Sequence, residues 1–173
     1  IVFIVNDKNE TYGLDVRLRV YGFDGSIFKE YNKKVTVAPI YSKAILELDR
    51  DQLISNNDKN KIFLSCELFR DQEIIAKNNY FFTRPKYLAL PVPEFEYHYK
   101  LHDGKHLINI RAKTFIARVY INCANMVGVF SDNFFDMIPN EEREIEFFPK
   151  RNIKKDYPVL QFLLRSLGDL INK

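Results

Sequence analysis

Leu14-Asp15-Val16-Arg17-Leu18-Arg19-Val20-Tyr21 alternates apolar and polar side chains without a break. Successive side chains of an extended chain point to opposite faces, so Leu14, Val16, Leu18 and Val20 face a core while Asp15, Arg17 and Arg19 face water. This is a half-buried β-strand. The same period returns at Ile62, Leu64, Cys66 and Leu68, at Ile108, Ile110 and Ala112, and at Ala117, Val119 and Ile121. Helical spacing appears nowhere over a comparable length.

Working outward, turn-forming residues punctuate these runs at Asn6-Asp7, Asp24-Gly25, the polar cluster Ser55 to Asn60, Asp71-Gln72, Asp103-Gly104 and Pro139-Asn140. Strand candidates in the first half are 1–6, 14–21, 26–31, 34–37, 40–48, 62–69 and 74–82, the number expected of an immunoglobulin-like sandwich. A stretch from Thr83 to Pro93 then carries Pro85, Pro91 and Pro93, which remove ladder donors and favour extended, unpaired backbone. Beyond it, strands are expected near 95–101, 106–112, 116–122, 127–130, 143–148 and 159–166. The last segment also has leucines at helical spacing (Leu160, Leu163, Leu164, Leu167), yet a closing strand is preferred because a sandwich without it exposes an edge. The expected fold is all-β: two tandem immunoglobulin-like antiparallel β-sandwiches, 1–84 and 94–173, joined by a Pro-rich connector at 85–93.

Composition excludes several functions. The 173 residues carry 26 Lys and Arg against 23 Asp and Glu, a net charge of +3, which is no basic excess of the kind nucleic-acid binding uses. No apolar run approaches the roughly 20 residues a spanning helix needs, so membrane insertion is not expected. The chain begins at Ile1 with neither a basic n-region nor a cleavage-site pattern, and is expected to be a piece of a longer polypeptide. Cys66 and Cys123 lie inside strand-like runs and read as buried free thiols.

A search for chemistry finds no GxSxG, no phosphate-cradling glycine loop, no CxxC and no HExxH. His98, His102 and His106 would line one face of a helix, but with Asp103-Gly104 making a hairpin, positions four apart on a strand are about 13 Å apart, too far for one metal. Glycoside hydrolysis needs two carboxyls about one bond. Asp132 and Asp136 with Asn133 read as turn-capping groups rather than that pair or a calcium loop. Glu142, Glu144 and Glu146 read as the wet face of a strand. The basic run Lys150-Arg151-Asn152-Ile153-Lys154-Lys155 has no interleaved aromatic for base stacking and reads as a solvated loop. Tyr80-Phe81-Phe82 and Phe134-Phe135 are candidate sugar platforms, but phenylalanine is more often core, and carbohydrate contact is not expected. No catalytic residue, metal or cofactor is assigned.

The order of segments carries a resemblance. Residues 1–30, IVFIVNDKNETYGLDVRLRVYGFDGSIFKE, resemble the first C-terminal Ig-like domain of family 2 glycoside hydrolases of the β-mannosidase type. Residues 62–91, IFLSCELFRDQEIIAKNNYFFTRPKYLALP, resemble that domain's last hairpin and its connector. Residues 130–149, FSDNFFDMIPNEEREIEFFP, are similar to the terminal domain of that type, with Asn140 where glycine is usual. The closing LLRSLGDLIN resembles the final strand. The resemblance implies a non-catalytic C-terminal region supporting an upstream catalytic (β/α)₈ barrel of the same polypeptide, with its retaining glutamate pair on that barrel. It also implies a secreted, periplasmic or lysosomal setting rather than a cytoplasmic one. Alternatives are the same region of an exo-glucosaminidase-type enzyme, or a stand-alone carbohydrate-binding or adhesion tandem. Asp132, Asn133, Phe134, Phe135, Asp136 and Pro139 are expected to form a structural corner, with Asp132 and Asn133 bonding backbone and both rings buried.

Overall fold

The computed structural model describes residues 1–150 and 160–171. Residues 1–22 and 26–89 belong to one compact unit, and residues from Leu90 on lie in a second. Both are sandwiches of antiparallel sheets, so the chain is all-β with two Ig-like units in tandem.

The first unit is built on β2 (Tyr12–Gly22), which holds the opening stretch. It pairs on one side with β3 (Ile27–Val37) and on the other with β5 (Ile62–Arg70), which pairs in turn with β6 (Glu73–Phe81). The facing sheet is β1 (Val2–Asn6) with β4 (Tyr41–Leu46). Leu14, Val16, Leu18 and Val20 enter a core completed by Ile4, Val35, Val37, Ile45, Ile62 and Leu64. On the opposite face of the same strand, Arg17 pairs with Glu67 at 2.6 Å and Arg19 with Glu30 at 2.5 Å. One strand thus serves a dry and a wet side, as its period requires.

Three details of this half differ from the sequence reading. The candidates 26–31 and 34–37 are one strand, β3, because Asn32 and Lys33 continue the ladder opposite Arg17 and Val16 instead of turning. A short helix α1 (Arg50–Ile54) precedes the polar cluster; Asp49 caps it by accepting from the Gln52 amide at 2.8 Å, and Leu53 plugs the core. The unit therefore has six strands. In the connector, Pro85–Tyr87 forms a 3₁₀ turn rather than fully extended chain.

The second unit sets β10 (Gly128–Phe130), β12 (Glu142–Pro149), β8 (Lys105–Ala112) and β7 (Phe95–His102) in one sheet, in that order. The other sheet is β11 (Phe135–Met137), β9 (Ile116–Cys123) and β13 (Phe162–Arg165). Ile108, Ile110, Val119, Ile121, Ile145, Phe147 and Phe162 fill the space between the sheets. The closing segment is a strand at Phe162–Arg165, paired with β9, and is followed by a helical turn α2 (Gly168–Ile171) that the sequence reading does not contain. Its start at 159 lies outside the described residues. Asp71-Gln72 and Asp103-Gly104 turn tight hairpins with both central residues at positive φ, the geometry that matches strand twist.

Candidate functional site

The motif 132–139 is assembled around β9. Asn133 lies beside that strand and replaces a neighbouring backbone with its own side chain: its Oδ1 accepts from the Ile121 amide at 2.9 Å and its Nδ2 donates to the Ile121 carbonyl at 2.9 Å. Asp132 holds Asn133 in place, accepting its amide at 2.7 Å with Oδ1 while Oδ2 receives the Arg143 guanidinium at 2.8 Å. That guanidinium also lies 4.2 Å from the centre of the Phe135 ring, a cation–π contact.

The next residue breaks the alternation. Phe134 adopts φ 62°, donating its amide to the Val119 carbonyl at 2.7 Å, so its ring turns out of the core. The two adjacent rings part company: Phe135 is 8% exposed and packed, whereas Phe134 is 58% exposed and stacks on Tyr120 at 5.2 Å. The expectation that both rings are buried is corrected for Phe134. Asp136, 9% exposed, accepts from the Arg118 amide at 2.9 Å; Arg118 itself has φ 55°, where β9 shifts register between Ile116 and Val119. Pro139 leads into Asn140 at φ 67°, whose amide donates to the Ala112 carbonyl, while Glu141 Oε2 accepts from the Ile138 amide.

These bonds use the acceptors a glycosidase would need free. Asp132 and Asp136 are committed to backbone amides and to the guanidinium groups of Arg143 and Arg118. Glu142, Glu144 and Glu146 sit on the wet face of β12, paired across the sheet with Arg111, Lys100 and Lys105. The pKa of Glu30 is lowered by hydrogen bonds from Asn32 and Arg19, and that of Glu96 by its bond to Lys113. Both shifts favour the charge, opposite to what a general acid requires.

The three histidines are separated by the hairpin: His98 faces Asn109, His102 lies at the tip beside Asp103, and His106 sits on β8. His106 Nδ1 lies 2.7 Å from the Tyr99 hydroxyl, and burial pushes its pKa below the usual histidine value. Among the described residues no group of three His, Cys, Asp or Glu is gathered as a metal site. Cys66 is half-buried, its thiol pushed up by burial and by Glu67, and Cys123 is buried; neither is in a disulfide. Lys150 is described, and the rest of the basic run lies outside the described residues. Of the other aromatic candidate, Phe82 is core, Phe81 half-buried and Tyr80 exposed. Tyr80 borders a basic cleft that sequence reading misses, since its cations, Arg50, Lys59 and Arg84, are far apart in the chain. Only their approach to one aromatic run would have flagged it.

Comparison with known proteins matches the two units separately. Residues 2–87 match the family described as Mannosidase Ig/CBM-like domain, and residues 90–170 match an Ig-fold domain. The fold is similar to a β-D-mannosidase from Dictyoglomus thermophilum, with a TM-score of 0.74 and 22% identity over 95% of this chain and 20% of that one. It is also similar to an exo-chitosanase from Amycolatopsis orientalis, with a TM-score of 0.69 and 10% identity over 96% of this chain and 24% of that one. The chain therefore spans about a fifth to a quarter of the length of these proteins. No curated protein sequence matches. The chain belongs to the mannosidase Ig-like domain families: a mannosidase Ig/CBM-like domain over residues 2–87, followed by an Ig-fold domain over residues 90–170.

Proposed function

We propose that this chain is the non-catalytic C-terminal region of a β-mannosidase, a retaining exo-glycosidase of family 2 that releases terminal β-D-mannose. The observation that carries this reading is the succession of two family matches along nearly the whole chain, 2–87 and then 90–170. The catalytic (β/α)₈ barrel lies upstream in the same polypeptide, and the two sandwiches support it without supplying a reacting group. Consistent with that role, the carboxylates of the 132–136 corner are spent on backbone and arginine. Asp132, Asn133, Phe134, Phe135, Asp136 and Pro139 act as a structural corner that fastens the 131–141 segment to β9. The test is the activity of the parent polypeptide on aryl β-D-mannoside, with hydrolysis expected there and none from residues 1–173 alone.

A second reading is favoured by the exo-chitosanase likeness: the parent is an exo-glucosaminidase. A higher kcat/KM on an aryl β-D-glucosaminide than on the mannoside would select it.

A further inference from the structure

The first sandwich has a cleft of about 750 Å³ where the end of β6 and the turn after it run past α1. Three cations line it, Arg50, Lys59 and Arg84, and no carboxylate does. Of the acids nearest in sequence, Asp49 caps α1, Asp58 accepts the Asn60 amide at 2.9 Å, and Asp51 is exposed outside the cleft lining. Arg50 is positioned by donating Nη2 to the Phe82 carbonyl at 2.8 Å, which leaves its remaining N–H groups available. Among the described residues, neither Lys59 nor Arg84 has an ion-pair partner. Gathering like charges without a counter-charge is unfavourable, and an anion in the cleft relieves it.

The rest of the lining narrows the kind of anion. Tyr80 and Tyr87 border the cleft, each 56% exposed, and Lys86 lies 4.7 Å from the Tyr87 ring centre. Tyr80 is braced edge-on by Phe82 at 5.5 Å, so its ring is held. A flat aromatic face takes up the C–H face of a sugar ring, while a guanidinium fork matches the paired oxygens of a carboxylate or sulfate. We infer that this cleft, lined by Arg50, Lys59, Arg84, Tyr80 and Tyr87, binds an acidic oligosaccharide bearing uronate carboxylates or sulfate esters. This does not rest on the hydrolase reading, because a support domain and a stand-alone domain present the same cleft.

The experiment is an amide NMR titration of the 173-residue chain with trigalacturonate, a sulfated disaccharide, mannotriose, inorganic sulfate and a short single-stranded oligonucleotide. Saturable shifts centred on Arg50, Lys59, Thr83 and Arg84 are expected with trigalacturonate, the sulfated disaccharide or both, and the pair of results tells which acid is read. In the Lys59→Ala/Arg84→Ala variant, with spectral dispersion retained, Kd rises at least about tenfold, and added salt weakens binding to the unmodified chain. Absence of saturation with either acidic sugar overturns the inference. So does equal affinity for mannotriose, sulfate ion or the oligonucleotide, or unchanged affinity in the double variant.

Discussion

At the scale of single residues, Asn133 matters most in the corner, since its side chain satisfies both the amide and the carbonyl of Ile121. Asn133→Ala leaves two backbone groups unpaired on a buried strand residue, and a loss of about 2–4 kcal/mol is expected in urea unfolding. Asn133→Asp keeps the acceptor but sets an oxygen against the Ile121 carbonyl, so it does not restore the loss. The neighbouring rings give a contrast: Phe135→Ala costs about 3–5 kcal/mol and Phe134→Ala less than about 1 kcal/mol, because only the first leaves a cavity. Equal losses at the two positions would contradict the placement. The motif was legible in the sequence as a corner of capping residues. Which ring turns outward was not, because that depends on a positive φ at a phenylalanine, a conformation its side chain disfavours and only the surrounding bonds impose.

At the scale of elements, β10 approaches β12 so closely that a Cβ on Gly128 would lie 2.4 Å from the Phe147 ring and 2.5 Å from the Phe148 carbonyl oxygen. Gly128→Ala is expected to cost about 1–3 kcal/mol by overpacking, measured as a lower melting temperature. The β7–β8 hairpin carries a pH response through His106. Its folded pKa is depressed by burial, so the folded state binds fewer protons than the unfolded one. The stabilisation is fully present above the unfolded value of about 6.5 and is lost as pH falls through the lower folded value. His106→Gln should flatten that part of the stability profile between neutral and mildly acidic pH; an unchanged slope would contradict it. Strands with strict alternation, such as β2 and β8, were legible because one face is wet. The join of two candidates into β3 was not, since Asn32 and Lys33 look like a turn and are held extended only by pairing with β2. The helix α1 was hidden for a related reason, being too short for a period and fixed by the Asp49 cap and Leu53.

At the scale of the whole molecule, each sandwich closes its own core, Leu18 and Ile62 in the first and Ile108 and Phe147 in the second. The tandem organisation was legible because period-two runs stop at the proline-bearing stretch and start again beyond it. The basic cleft was not, since it is made by residues distant in the chain. What the tandem serves is the central claim, that these domains are the non-catalytic end of a β-mannosidase. The most direct measurement is kcat/KM for the parent polypeptide on aryl β-D-mannoside and aryl β-D-glucosaminide side by side. The account predicts a clear preference for the mannoside, whereas a preference for the glucosaminide, or hydrolysis of neither, would contradict it.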